Sequence, residues 1–238
     1  MRWPGRALWG LGEAAVTFGV VVLLLVAHQL WWTNLRDHTS AQRRVQQLEQ
    51  AWGTGAGAGA GAGAGDGAPA ASSAAETSDQ SAPTRTASAS QGYAVLRIPR
   101  LGVTAPVAEG ITKAKVLNHG YVGHYPRTAQ PGQAGNFAVA GHRNTHGEPF
   151  RHLDRLRVGD TVSVETATTR FTYVVVRTLA RTSAQDGTVV APVPYSSFHR
   201  SARLSGRGYY ITLTTCTPAF TSRYRLVVWG RLTSARVR

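Results

Sequence analysis

Apolar residues are concentrated in one continuous run near the N-terminus, from about Ala14 to Leu30. Trp31 and Trp32 close this run. An apolar stretch of about 17–20 residues is long enough to cross a bilayer as a helix, and indole rings favour the two interfaces. We therefore predict that residues 1–33 form an N-terminal membrane anchor.

A cleaved signal peptide is the alternative to an anchor. Its apolar region would be shorter, and a small-x-small cleavage site should follow it. The residues that follow are His28-Gln29-Leu30-Trp31-Trp32, which make a poor cleavage site, so we favour an uncleaved helix. Orientation stays open, because arginines lie on both sides of the run.

Two polar segments separate the anchor from the rest of the chain. Residues 34–52 place Val45, Leu48 and Trp52 at helical spacing, which predicts a juxtamembrane helix or, alternatively, a solvated stalk. Residues 53–91 are Gly-Ala repeats followed by Ser, Thr and Pro. Such a segment buries too little apolar area to offset its ordering entropy, so we predict a flexible linker.

From residue 92 onward the pattern changes to short runs rich in β-branched and aromatic residues, with Gly, Pro, Asn and Asp between them. This pattern indicates an all-β barrel or sandwich, formed by residues 92–238 as one domain. The predicted strands are Tyr93–Ile98, Phe137–Ala140, Thr161–Val164, Arg170–Leu179, Tyr209–Thr215 and Tyr224–Trp229.

Charge and cysteine content narrow the function classes. The chain has a formal net charge of +14, and residues 91–238 carry all of it, with 20 basic and 6 acidic residues. A basic domain favours anionic partners such as a membrane, a cell wall or nucleic acid, although a general preference for arginine explains the charge equally well. The single cysteine excludes an intramolecular disulfide scaffold and a cysteine-based metal site.

Cys216 lies at the end of the run Tyr209–Thr215. Alternation places it on the face opposite Ile211 and Leu213, so it is not in the apolar layer where a structural cysteine would lie. The run Arg223–Trp229 reads as the antiparallel partner strand, which brings Arg223 and Arg225 within reach of Cys216. An arginine there favours a thiolate or binds a developing oxyanion.

A thiol nucleophile also needs an imidazole. Of the eight histidines, His142 is the best placed, because it follows an apolar strand that ends in Gly141 and opens a loop. His124 is the second candidate. The pattern of Cys216, an imidazole and an arginine therefore indicates nucleophilic catalysis.

These residues resemble the sortases. The resemblance rests on Leu213–Pro218 (LTTCTP), with Arg225 nine residues after the cysteine and Asn136–Arg143 (NFAVAGHR) upstream. Val95–Pro106 resembles the first two strands of the sortase barrel, and Gly123–Pro126 (GHYP) is similar to the class E subgroup. The resemblance covers about residues 93–232.

The resemblance implies an eight-stranded β-barrel with short helices that acts as a cysteine transpeptidase. The enzyme would cleave a C-terminal LAxTG- or LPxTG-like sorting signal between Thr and Gly. It would then pass the acyl group to a peptidoglycan precursor amine of the lipid II type. The catalytic domain would lie outside the plasma membrane of a Gram-positive actinobacterium. We expect a monomer, no cofactor, no bound calcium or other metal, and no nucleic acid partner.

The resemblance also assigns roles to individual residues. Cys216 would be the nucleophile, His142 the general acid and base, and Arg225 the oxyanion and substrate clamp, with Arg223 as its competitor on geometry. Thr215 and Tyr125 would contact the substrate. The segment 184–208 would line the substrate-binding groove.

Several alternatives stay open at this point. A pilus-polymerising sortase would share these residues. A non-enzymatic tethered module that binds anionic wall polymer or nucleic acid would explain the charge alone. An L,D-transpeptidase would carry the motif Ser-x-Gly-Cys-x-Arg, and a papain-like hydrolase would have its cysteine before its histidine in the chain. Neither pattern matches this chain.

Overall fold

The computed structural model describes residues 4–57 and 92–238. Most of the predicted linker, residues 58–91, lies outside the described residues. One long helix, α1 (Pro4–Gly57), runs through the predicted anchor and juxtamembrane segment without a break. Among residues 4–57 and 92–238, no helix is both long enough and apolar enough to cross a membrane.

Eight strands follow α1 and close into a barrel. In chain order they are β1 (Ala94–Ile98), β2 (Val103–Glu109), β3 (Val122–His124), β4 (Gly135–Ala140), β5 (Thr161–Glu165), β6 (Thr169–Ser183), β7 (Tyr209–Thr217) and β8 (Tyr224–Val237). Around the barrel the order is β1-β2-β3-β4-β7-β8-β6-β5. The pairs β2–β3 and β4–β7 are parallel, and the remaining neighbours are antiparallel. The prediction of an eight-stranded barrel is confirmed.

Short 3-10 helices occupy several of the connections. They are Pro99–Leu101, Leu117–His119, Leu153–Arg155 and Gly187–Val190. The third lies inside the segment 150–157, where the sequence suggests one or two helical turns.

Along the strands every second side chain points inward, and these inward-facing side chains fill the barrel. Leu96, Val139, Ile211 and Leu213 are at most 1% exposed and belong to one apolar cluster inside the barrel. Thr212 and Thr214 lie on the outer face of β7 but are also buried, because other parts of the chain cover this face. The period of two therefore identifies the inner face correctly, but it does not show that the outer face is covered.

Strand periodicity fails at two strands and also misses two strand ends, because β6 extends to Ser183 and β8 to Val237, beyond the predicted Leu179 and Trp229. β2 (VTAPVAE) contains Pro106 and has no clear alternation, so only the family resemblance indicates it, and β3 is too short to show a period. β8 begins at Tyr224, as the predicted strand Tyr224–Trp229 does, so the inclusion of Arg223 in the partner strand is wrong. Arg223 lies in a bend before β8, with its guanidinium over the Tyr224 ring, 5.2 Å from the ring centroid.

The segment between β6 and β7 is fixed across the outer face by one carboxylate. Asp186 is 4% exposed and accepts hydrogen bonds from Thr182 Oγ1 (2.6 Å), Ser196 Oγ (2.5 Å) and Thr188 Oγ1 (2.7 Å). Burial raises the pKa of Asp186, but the hydrogen bonds together outweigh burial and hold it below its ordinary value. Val189 then accepts hydrogen bonds from β7 and β8.

The C-terminal part of α1 packs on the barrel. Val45 and Leu48 are buried against Val95 of β1. Glu49 forms an ion pair with Arg97, which also contacts the buried Glu165. These contacts make residues 41–52 of the helix part of the packed domain.

Candidate active site

Cys216 lies one residue before the end of β7 and is partly exposed. Its register partner in the antiparallel β7–β8 pair is Arg225. Residues directly opposite each other in such a pair project on the same face. The structure therefore presents the thiol at the end of a strand, with an arginine opposite it.

The parallel pairing of β4 with β7 brings His142 to the same place. The register ends at Ala140 opposite Thr214. One residue further, Gly141 N donates to Thr214 O (3.1 Å), and Thr215 Oγ1 donates to Gly141 O (2.8 Å). Continuing the register by two residues would bring the backbone of His142 opposite that of Cys216, although 74 residues separate them in the chain.

The imidazole of His142 is held by Asn118, a residue that the sequence analysis missed. His142 Nε2 lies 2.9 Å from Asn118 Oδ1, which is an acceptor, so Nε2 carries the proton. Nδ1 is then the basic nitrogen of the neutral ring. Because Asn118 is in the 3-10 helix Leu117–His119, no motif near His142 indicates it.

The electrostatic surroundings keep His142 neutral at pH 7. Burial lowers its pKa from 6.5 to about 4, and the electrostatic interactions with His146 and Lys113 act in the same direction. Asp37 opposes them and raises the pKa. His142 is therefore in the form that accepts a proton from the thiol.

Arg143 joins the histidine loop to the cysteine strand. Its Nη1 donates to Thr217 Oγ1 (2.9 Å) and approaches Cys216 O (3.4 Å), while Nη2 pairs with Asp154 Oδ2 (3.3 Å). The side chain is only 11% exposed. Arg143 therefore fixes the backbone on both sides of the reactive groups, a role that the sequence analysis did not assign to it.

The two candidate arginines differ in placement. Arg225 is partly buried, and its Nη1 donates to Ser222 O (2.8 Å) and Tyr224 O (3.0 Å), which ties it to the β7–β8 loop. Arg223 is exposed and stacks on Tyr224. Of the two, only Arg225 pairs in register with Cys216.

Tyr125 and Thr215 also lie close to this region. Tyr125 OH is 3.0 Å from Thr214 Oγ1, on the face of β7 that carries Cys216. Thr215 is only 3% exposed, and its hydroxyl is directed to Gly141. Tyr125 thus contacts β7 two residues before Cys216, and Thr215 supports the backbone that leads to His142.

His124, the second candidate base, lies in the barrel wall. It is 1% exposed. Its Nδ1 lies 2.8 Å from Glu109 Oε2, and its Nε2 lies 2.8 Å from Thr128 Oγ1. Both ring nitrogens are therefore occupied by structural contacts. In the described parts of the chain, no group of three His, Cys, Asp or Glu side chains is arranged to hold a metal ion.

The family of the chain follows from comparison with known proteins. The Sortase domain family matches residues 96–233. Sortase SrtE1 of Streptomyces coelicolor is 41% identical over 245 residues, which cover 100% of this chain and 61% of SrtE1. Sortase SrtE2 of the same organism is 33% identical over 240 residues, covering 97% of this chain and 85% of SrtE2. The chain thus spans about three fifths of the length of SrtE1.

Solved structures give the same result. The crystal structure of Sortase E1 from S. coelicolor with a tripeptide in its active site aligns with a TM-score of 0.59 and 49% identity, over 63% of this chain and 92% of that one. Sortase E from Streptomyces avermitilis aligns with a TM-score of 0.56 and 43% identity, over 63% and 93%. The chain belongs to the sortase family of cysteine transpeptidases, and within that family to class E.

Proposed function

We propose that the chain is a membrane-anchored transpeptidase that joins proteins bearing a C-terminal sorting signal to a cell-wall precursor amine. The observation that supports this proposal is that β7 carries Cys216 in register with Arg225 and pairs in parallel with β4, the strand that leads into His142. A nucleophile, a base and a cationic oxyanion donor are the three groups that acyl transfer through a thioester needs.

The proposed reaction has two halves. His142 takes the proton of the Cys216 thiol, and the thiolate attacks the carbonyl carbon of the threonine in the sorting signal. Arg225 stabilises the negative charge that develops on the carbonyl oxygen. The bond to glycine then breaks, His142 returns its proton to the departing amine, and a thioacyl-enzyme remains.

The second half reverses these steps with a new amine. The incoming amine attacks the thioester carbonyl, and His142 accepts the proton that this amine loses. The new amide bond forms as the carbon–sulfur bond breaks, and the proton returns to the sulfur of Cys216. No cofactor takes part in either half.

The proposed location combines the helix and the barrel. In α1, the apolar side chains from Val16 to Val26 are exposed, which supports insertion of this segment into the plasma membrane with the barrel outside the cell. Because the helix continues from Trp31 through residue 52, docking of α1 would hold the site close to the membrane surface. That position suits an acceptor amine carried on a lipid.

Peptide cleavage tests the proposal directly. We expect the protein to cleave an LAxTG peptide faster than a matched LPxTG peptide, because the chain belongs to class E and Tyr125, the proposed reader of the signal, contacts Thr214 on the face of β7 that carries Cys216. Adding an amine acceptor should convert the hydrolysis product into the amide, as followed by mass spectrometry. Failure to cleave either peptide, with or without the amine, would contradict the proposed function.

Arg225 and Arg223 form a matched pair of variants. Arg225→Ala is expected to lower kcat by about 100-fold, because it removes a charged donor to the oxyanion. Arg223→Ala should change kcat less than about twofold, since this exposed side chain lies outside the register of Cys216. Both kcat values are measured by peptide cleavage. Equal losses of kcat in the two variants would show that catalysis depends on the positive charge of this region and not on the position of Arg225.

A further inference from the structure

Helix α1 reaches the loop that carries His142 through Asp37. Asp37 Oδ2 lies 2.7 Å from His146 Nδ1, and the ring centroids of His146 and His142 are 5.3 Å apart. The side chains of Asp37 and His146 are 19% and 27% exposed. Since 109 residues separate this pair in the chain, the contact exists only when α1 is docked on the barrel.

The backbone of α1 also packs against the two segments that surround His142. A Cβ on Gly120 would lie 2.9 Å from the carbonyl oxygen of Asp37, and a Cβ on Gly147 would lie 3.4 Å from Cα of His38. Gly120 follows the 3-10 helix that carries Asn118, and Gly147 follows His146. The helix therefore contacts the supports of the imidazole on both sides.

The histidine loop adopts a backbone conformation that needs such support. His146, Gly147 and Glu148 have φ values of +54°, +76° and +48° in succession. Residues with a Cβ are disfavoured in this left-handed region, and they persist there where the surrounding structure over-determines the backbone. The Asp37 contact of His146 and the packing at Gly147 both come from α1, so the helix supplies this constraint.

The charges around His142 also depend on the helix. Beyond burial, His146 and Lys113 disfavour the imidazolium form of His142, and Asp37 favours it. Cys216 and Arg225 lie on the other side, at the end of β7. Asp37 thus opposes the effects of His146 and Lys113 on His142, and it comes from outside the barrel.

We propose that Asp37 is a positioning residue for His142: from the docked helix it fixes His146 and the loop between the two histidines, and it supports the charged state that His142 passes through. The inference rests on the proposed function, in which His142 takes and returns a proton. It makes the N-terminal helix a component of the active site in addition to its proposed role in the membrane.

The test uses full-length Asp37→Asn in detergent micelles, with Glu49→Gln as the matched control. Glu49 also pairs with the barrel, but it lies 12 residues further along α1, about 18 Å away. Two quantities are measured: kcat and KM for peptide cleavage, and the rate at which iodoacetamide alkylates Cys216, the single cysteine, at pH 7.

For Asp37→Asn we expect kcat to fall about tenfold with KM unchanged, and alkylation to slow at least about threefold, because the thiolate–imidazolium pair is less populated. Glu49→Gln should change both rates less than about twofold, and Asp37→Glu, which keeps the carboxylate, should retain most of the activity. His146→Gln breaks the same contact from the barrel side and should also lower kcat about tenfold. Its alkylation rate should fall less than that of Asp37→Asn, because His146 itself disfavours the imidazolium form of His142.

The proposal is wrong if Asp37→Asn behaves like Glu49→Gln in both measurements, or if His146→Gln keeps the wild-type kcat. The second variant decides the outcome even if Asp37→Asn does not fold. Slowed alkylation in Asp37→Asn together with a wild-type protein that cleaves no sorting peptide would support the positioning role and reject the proposed function, so the two failures are distinguishable.

Discussion

Cys216→Ala is expected to abolish peptide cleavage and amide formation, with a loss of at least about 10⁴-fold in kcat. The thiolate is the group that forms the acyl intermediate, and no second cysteine is present to replace it. Because Cys216 is partly exposed at a strand end, its truncation should change the free energy of unfolding by less than about 1 kcal/mol. Peptide cleavage and thermal unfolding of the two proteins measure both effects.

Chemical modification provides an independent control for this variant. A thiol reagent should inactivate the wild-type protein in step with the labelling of one site, because the chain contains one cysteine. Prior incubation with a sorting peptide should protect the thiol from the reagent. Activity that survives full labelling would contradict the nucleophile assignment. Salt-sensitive polymer binding that survives Cys216→Ala would instead favour a tethered basic module.

His142→Ala is expected to lower kcat by about 10³- to 10⁴-fold, because the same imidazole serves as base for the thiol and as acid for the leaving amine. The exposed His199 is the matched control: it lies in the segment expected to line the groove, so His199→Ala should retain the wild-type kcat and can change only KM. Single-turnover measurements show which half of the reaction is slowed. If His142→Ala keeps more than about a tenth of the wild-type kcat, His142 is not the acid–base group.

The pH dependence of the wild-type protein gives a second measurement of His142. Its pKa is lowered to about 4, so the base form persists well below pH 6.5. An acid limb of kcat/KM that arises from His142 should therefore have its midpoint near pH 4. Since the unfolded chain binds this proton at about pH 6.5, His142 also lowers stability as the pH falls through that window. His142→Gln should lose less stability between pH 7 and pH 5 than the wild-type protein.

The sequence alone was sufficient for the features that depend on local pattern. Alternation places Ile211 and Leu213 inside the barrel and Cys216 on the opposite face, and turn residues locate the ends of most strands. The LTTCTP and AGHR segments were sufficient to indicate the family. These features are readable because strand period and motif spacing involve residues that are close in the chain.

Tertiary structure decided the features that join distant segments. Asn118 reaches His142 across 24 residues, Arg143 reaches Thr217 across 74, and Asp37 reaches His146 across 109. No local period encodes these contacts, because they arise only when β4 pairs in parallel with β7 and α1 docks on the closed barrel. The sequence thus determined which residues carry the chemistry, and the packing of remote segments determined what holds them in place.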